Sequence, residues 1–175
     1  MTLFQFVCFE TPLPREAFLA GWAPFASGFL ARGLARLVLS ERIGPSGFAY
    51  VSRNAWPDDR FAETFRGQLP ADAGGGPVRA IQGGVFRLAA SVGVDPLVAN
   101  RAATKLVAFV DRGSDIAALS SLVSLLPLGA TWARYERIPT VEGGRFEAVF
   151  ELFAPRSPEL ELAAPMREIL SLPEH

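Results

Sequence analysis

The sequence predicts an α+β chain made of two related halves, each a small antiparallel sheet covered by helices. Three observations carry this expectation. Strand-like and helix-like runs alternate along the chain, and the order strand, helix, hairpin comes twice. In addition, Ser40-Glu41-Arg42-Ile43 returns 95 residues later as Tyr135-Glu136-Arg137-Ile138, each time at the end of a strand-like run and before a Gly-containing turn.

The first run, Leu3 to Glu10, is rich in aromatic and branched residues and stops at Thr11-Pro12-Leu13-Pro14, which reads as a strand buried on both faces. Phe18, Trp22, Phe25 and Phe29 then recur at helical spacing, with Pro14 suited to the first turn and Gly33 to the stop. Pro24 is expected to kink or divide that helix. Leu34 to Ile43 and Phe48 to Trp56 read as a hairpin around Gly44-Pro45-Ser46-Gly47. Asp58 and Asp59 can cap a helix with the stripe Phe61, Phe65 and Leu69. A loop over Gly67 to Pro77 leads to a strand from Val78 to Ala90, bent at Gly83-Gly84. The first half is therefore βαββαβ, over residues 1–93.

The second half, 103–175, repeats the order only in part. Lys105 to Asp111 is a strand, and Ser114 caps a helix with the stripe Ile116, Leu119, Val123 and Leu126, ended by Pro127 and Gly129. Thr131 to Ile138 and Arg145 to Phe153 form a hairpin around Glu142-Gly143-Gly144. Ser157 to Leu170 reads as helix interrupted by Pro165, so this half is expected to be truncated, without its last strand. Each half would leave one apolar sheet face uncovered, and packing the two sheets face to face buries both, within one chain or across a homodimer.

Composition narrows the function classes. Half the residues are apolar, and 17 basic against 18 acidic residues give a net charge of −1, so the electrostatic footprint of a nucleic-acid or polybasic membrane binder is missing. No stretch is long and apolar enough for a membrane span. Cys8 is the only cysteine, which excludes an intrachain disulfide and makes the cytoplasm the default compartment. Lys105 is the only lysine, the other basic residues being arginine, and the only histidine is the last residue, His175. Ser–His–Asp hydrolysis is thereby excluded, as are zinc sites built on His and Cys. Gly74-Gly75-Gly76 is followed by neither a lysine nor a helix start and reads as a connection rather than a phosphate cradle.

Pro14-Arg15-Glu16-Ala17-Phe18-Leu19-Ala20-Gly21-Trp22, after a strand and before Leu37-Val38-Leu39-Ser40-Glu41-Arg42-Ile43, resembles the EthD-like branch of the dimeric α+β barrel superfamily. The resemblance implies two ferredoxin-like βαββαβ halves closing an α+β barrel. Such barrels host monooxygenases, cyclases, isomerases, haem-handling enzymes and proteins with no known activity, so the fold alone assigns none. Several relatives use a histidine shortly after the helix tryptophan; here Ala23-Pro24-Phe25-Ala26 follows Trp22. That departure weighs against His-dependent acid/base chemistry and His-ligated haem.

Polar residues inside apolar strands are the candidates for a pocket. With Leu37 and Leu39 toward the helices, Arg36, Val38, Ser40 and Arg42 point between the sheets. Tyr50, Ser52 and Asn54 share one face of the next strand, and Glu147, Val149 and Glu151 share one face in the second half. Arg36, Ser40, Tyr50, Ser52, Glu147 and Glu151 are thus the candidate pocket residues, unless they pair as Arg–Glu bridges or lie at sheet edges in solvent. Cys8, Trp22, Trp56 and Trp132 read first as core.

Two functions follow. A non-catalytic protein that binds a small apolar or aromatic molecule, or serves in assembly, is favoured because the histidine is missing. The alternative is a cofactor-independent monooxygenase, cyclase or isomerase acting on an aromatic or polyketide-like substrate, with Glu147 or Glu151 as acid or base and Arg36 or Tyr50 holding an oxyanion. No cofactor or metal is expected. Purified protein should bind neither haem nor zinc stoichiometrically. A Soret band that saturates at one equivalent and is abolished by Tyr50→Phe or Tyr135→Phe, or zinc retained through dialysis against chelator, would contradict this.

Overall fold

The computed structural model describes residues 1–44, 48–65, 79–98, 104–113, 130–138, 145–153 and 164–172. In chain order the elements are β1 (Thr2–Glu10), α1 (Arg15–Ala31), β2 (Arg36–Arg42), β3 (Tyr50–Pro57), α2 (Asp58–Phe65), β4 (Arg79–Val92), β5 (Thr104–Asp111), β6 (Thr131–Arg137), β7 (Phe146–Phe153) and β8 (Ala164–Leu172). The helix expected over Ser114 to Leu126, the loop expected over Gly67 to Pro77, the turn expected at Glu142-Gly143-Gly144, and all but Gly44 of the turn expected at Gly44-Pro45-Ser46-Gly47 lie outside the described residues.

The eight strands close a barrel in the order β1-β3-β2-β8-β5-β7-β6-β4, with β4 pairing back onto β1 and every pair antiparallel. Closure leaves no unpaired strand edge. The first four strands lie in the order β4-β1-β3-β2, and the last four follow in the matching order β8-β5-β7-β6 in the same direction round the barrel. The two sets join at two seams, β2 with β8 and β6 with β4.

The seams share their irregularities. The register shifts between Leu39 and Ser40 in one and between Leu88 and Ala90 in the other, opposite Arg134 and Tyr135. Ile43 N–H donates to the Pro165 carbonyl at 3.0 Å, and Ile138 N–H donates to the Val85 carbonyl at 3.1 Å. The two short sequence matches therefore occupy equivalent positions at the two seams.

Side-chain alternation sorts the strands into an inside and an outside. On β1, Leu3, Val7 and Phe9 face outward into a cluster with Phe18, Trp22 and Ala26 of α1, Phe61 of α2, and Leu37, Leu39, Tyr50 and Trp56 of the wall. Phe4, Phe6 and Cys8 face inward, with Val51, Ala55, Phe86, Val107, Ala133, Tyr135, Phe146, Val149 and Met166. Edge-on ring contacts knit this interior, Phe6 touching Phe86 and Tyr135 at centroid distances of 5.7 and 4.9 Å. At Gly84 a Cβ would come within 2.6 Å of the Phe86 ring, so the absent side chain is what admits that phenylalanine.

Two expectations are corrected. Pro24 does not divide α1, which runs unbroken from Arg15 to Ala31. Pro24 and Ala20 lie on the exposed face, where water can satisfy the carbonyl that the missing N–H would have bonded. Ala164–Leu172, overlapping the segment read as an interrupted helix, is instead a strand, β8. Pro165 stands second in β8, where its carbonyl accepts from Ile43 and its fixed φ is compatible with an extended chain.

Because Phe6 is fully buried between rings, Phe6→Ala is expected to cost about 3–5 kcal/mol. Val92→Ala, at a half-exposed site, is expected to stay within about 0.5 kcal/mol. Urea unfolding of both variants against the parent chain checks the contrast, and equal losses would contradict the assignment of the inner face.

Candidate functional site

The barrel interior is not uniformly apolar. Arg53 on β3, Lys105 on β5, Tyr135 on β6, Glu151 on β7 and Glu168 on β8 all point inward, and none is more than 2% exposed. Strand pairing brings them together: Lys105 lies opposite Phe153 on β7, two residues from Glu151, and opposite Met166 on β8, two residues from Glu168.

Glu151 is the hub. One of its oxygens accepts from the Arg53 guanidinium and from the Tyr135 hydroxyl, the latter at 2.8 Å. The other accepts from Lys105 Nζ at 2.6 Å. Lys105 Nζ also donates to Glu168 Oε1 at 2.9 Å and lies 5.7 Å from the centre of the Phe153 ring. Arg53 Nη2 is 3.8 Å from Glu168 Oε1. Among the described residues, two cations thus meet two carboxylates, with a phenol donating to one of them.

Burial alone would raise the Glu151 carboxyl, but the charges of Arg53 and Lys105, with hydrogen bonds from Lys105 and Tyr135, bring it down to about 2. Burial, then the Glu151 charge, pushes the Tyr135 hydroxyl well above its ordinary value. Burial opposes the charge on Arg53, yet Glu151, Tyr135 and Glu168 raise it further. Cys8 is pushed up by burial and secondarily by Glu10. Each shift leads away from neutrality.

The candidates named from sequence distribute unevenly. Arg36 and Ser40 are buried on the inner side of β2, as alternation with Leu37 and Leu39 required. Arg36 Nη1 donates to Ser171 Oγ at 3.1 Å and Nε to the Leu97 carbonyl at 2.7 Å, so it sits at one end of the barrel under the segment that follows β4. Ser40 pairs with Glu168 across the seam. Tyr50 and Ser52 do share a face, but it is the outer one. Tyr50 stacks on Phe18 of α1 at 4.1 Å, and Ser52 Oγ donates to Asn54 Oδ1 at 2.5 Å. Asn54 Nδ2 and Trp56 Nε1 both donate to Gln5 Oε1.

In the second half, Glu151 lies in the interior, while Glu147 falls at an irregularity near the start of β7. A register shift pairs Val110 with Ala148 but Asp111 with Phe146, so Glu147 is the extra residue and Phe146 joins the inner cluster. Glu147 is half-buried. Arg53, Lys105, Tyr135 and Glu168 were not among the sequence candidates, although the only lysine opening an apolar strand was a signal for one of them. Among the described residues no group of His, Cys, Asp and Glu is arranged to hold a metal ion.

No family model matches the chain, and no curated protein matches it. Among solved structures, the crystal structure of the chlorite dismutase-like protein TA0507 superposes over 96% of this chain and 94% of that chain, with a TM-score of 0.55 and 7% sequence identity. At that identity the likeness is one of fold. The chain has an α+β barrel architecture, with eight antiparallel strands closing the barrel. No described helix is long and apolar enough to cross a membrane.

The depressed Glu151 carboxyl ties stability to acid. Its folded value lies below the ordinary 4.5, so its contribution is complete above about 4.5 and is lost as pH falls toward about 2. The urea midpoint of the parent chain should fall through that window, while Glu151→Gln should be less stable at pH 7 and flatter below pH 4.5. Parallel pH profiles would contradict the ionised cluster. Lys105→Met is expected to cost about 3–5 kcal/mol, because it takes a buried cation away from two buried carboxylates.

Proposed function

We infer that the chain is a non-catalytic α+β barrel protein with a small-molecule-binding or assembly role. One observation carries this reading: the acid and base groups inside the barrel are consumed by one another. A general acid or base works best with a pKa near the working pH. Glu151 is held at about 2 with both oxygens occupied, and Tyr135 is driven well above its usual range. The alternative, a cofactor-independent enzyme relying on Glu147 or Glu151, is weakened at Glu151 by the same geometry, since both of its oxygens are engaged.

The binding reading has a specific place. Among the described residues, Trp22 Nε1 is a buried donor without a hydrogen-bond partner, within the aromatic layer between α1 and the barrel wall, beside Phe9, Phe18 and Phe25. A small apolar or aromatic molecule carrying a carbonyl would give that N–H an acceptor while its rings packed on the layer. Neither a nucleic acid nor a membrane surface fits the balanced charge, and cysteine usage favours the cytoplasm.

The repeated strand order, the matched seams and the two ERI endings support two ferredoxin-like halves derived by duplication, with boundaries at 1–93 and 103–175. The Pro14–Trp22 pattern supports the EthD-like branch. On this reading the barrel, dimeric elsewhere in the superfamily, closes within a single chain.

A panel of aromatic and polyketide-like compounds, incubated with the protein in air, tests the function. Tryptophan fluorescence should be quenched saturably by a member of the panel, with the response lost in Trp22→Phe and no product by mass spectrometry. Turnover that is abolished by Glu151→Gln would overturn the non-catalytic reading.

A further inference from the structure

Strand register makes the two sets of four strands comparable residue by residue. Ser40 and Tyr135 begin the matched sequence segments, and they pair with Val51 and Val149 respectively. Two residues along, Val38 pairs with Arg53, and Ala133 pairs with Glu151. Arg53 and Glu151 therefore occupy the same place in the two halves. They also bond directly to each other, so the pseudo-twofold axis relating the halves passes close to this ion pair.

A residue beside such an axis meets its own equivalent. Two arginines or two glutamates there would set like charges together out of water. The rest of the cluster follows the same division. By register, Phe4 stands where the second half has Lys105, since they pair with the equivalent residues Ala55 and Phe153. Leu88 stands where the second half has Glu168, since they pair with Tyr135 and Ser40.

A barrel made of two first halves would contain two Arg53 and no carboxylate at these positions. One made of two second halves would gather two copies each of Glu151 and Glu168 around two Lys105. Among the described residues, only the mixed pairing balances charge, with Arg53 and Lys105 against Glu151 and Glu168. A buried charge without its partner is strongly destabilising, so this difference decides between pairings that share a backbone.

We propose that Arg53 and Glu151, facing each other across the pseudo-twofold axis, make the halves complementary rather than self-complementary, so that each half closes only on the other kind. The pair acts as a partner-selecting lock. It directs a first half to a second half and rejects a second copy of itself. This rests on the equivalence of the two strand sets and is independent of whether the protein binds a ligand.

The test uses full-length chains carrying Arg53→Glu, Glu151→Arg, or both. The double exchange restores opposite charges and is expected to fold as a monomer with cooperative unfolding. Each single variant alone is expected to give no folded monomer. Co-expressed with different tags, the two single variants are expected to copurify as a one-to-one complex of twice the chain mass, because exchanging halves between them puts Arg against Glu in both barrels. Two differently tagged copies of one variant should give no such complex. A single variant that folds as a monomer with the parent's thermal midpoint overturns the proposal. So does a double exchange that fails to fold, or a double exchange that folds while the single variants form no mixed complex.

Discussion

Everything in the barrel depends on keeping two cations and two carboxylates dry and mutually satisfied. Arg53, Lys105, Glu151 and Glu168 come from four different strands, and their charges are shielded from water by aromatic and aliphatic side chains on the same inner surface. In such surroundings an ion pair gains little net stability over well-packed apolar residues, but losing one partner is expensive. The cluster is therefore better understood as a constraint than as a source of strength. It fixes which strands meet and in what register, because a slip of one residue would turn a charge outward and an apolar residue inward.

The outer layer has a different logic. Between α1, α2 and the wall the packing is aromatic, and the polar groups of Gln5, Ser52, Asn54 and Trp56 are bonded to one another. Glu41, on the outer side of β2, accepts from Arg15 of α1 and from Arg167 of β8, tying the helix to a seam. Burial would raise the Glu41 carboxyl, but these two arginines bring it below its usual value. That bridge is partly solvated and contributes modestly. The inner cluster admits no such relief, which is why its charge balance carries information about pairing.

Much of the fold could be read from residues, and the misreadings have physical causes. Strand positions were legible because apolar and branched runs were punctuated by Gly and Pro. Alternation places Arg36 and Ser40 correctly because Leu37 and Leu39 lie under a helix. On β3 the same alternation groups Tyr50, Ser52 and Asn54 but cannot say which face turns inward. Arg53 looks like the solvent-facing member of Val51-Ser52-Arg53-Asn54, and only counter-charges from distant strands reverse that preference. Glu147 falls at a bulge that periodicity does not reveal. In β8 the register shift around Ile169 breaks the alternation of Met166, Glu168 and Ser171, so a strand resembled a helix carrying a proline.

The ionisation state of Glu151 bears most directly on whether the barrel is a locked structural core or a poised reaction site. Carboxyl 13C shifts of glutamate-labelled protein, assigned by comparison with Glu151→Gln, would follow that group as acid is added. A resonance that stays at its ionised position from neutrality down to the onset of acid unfolding is the predicted result. A midpoint between about 6 and 8, the range suited to a general acid or base at neutral pH, would contradict it.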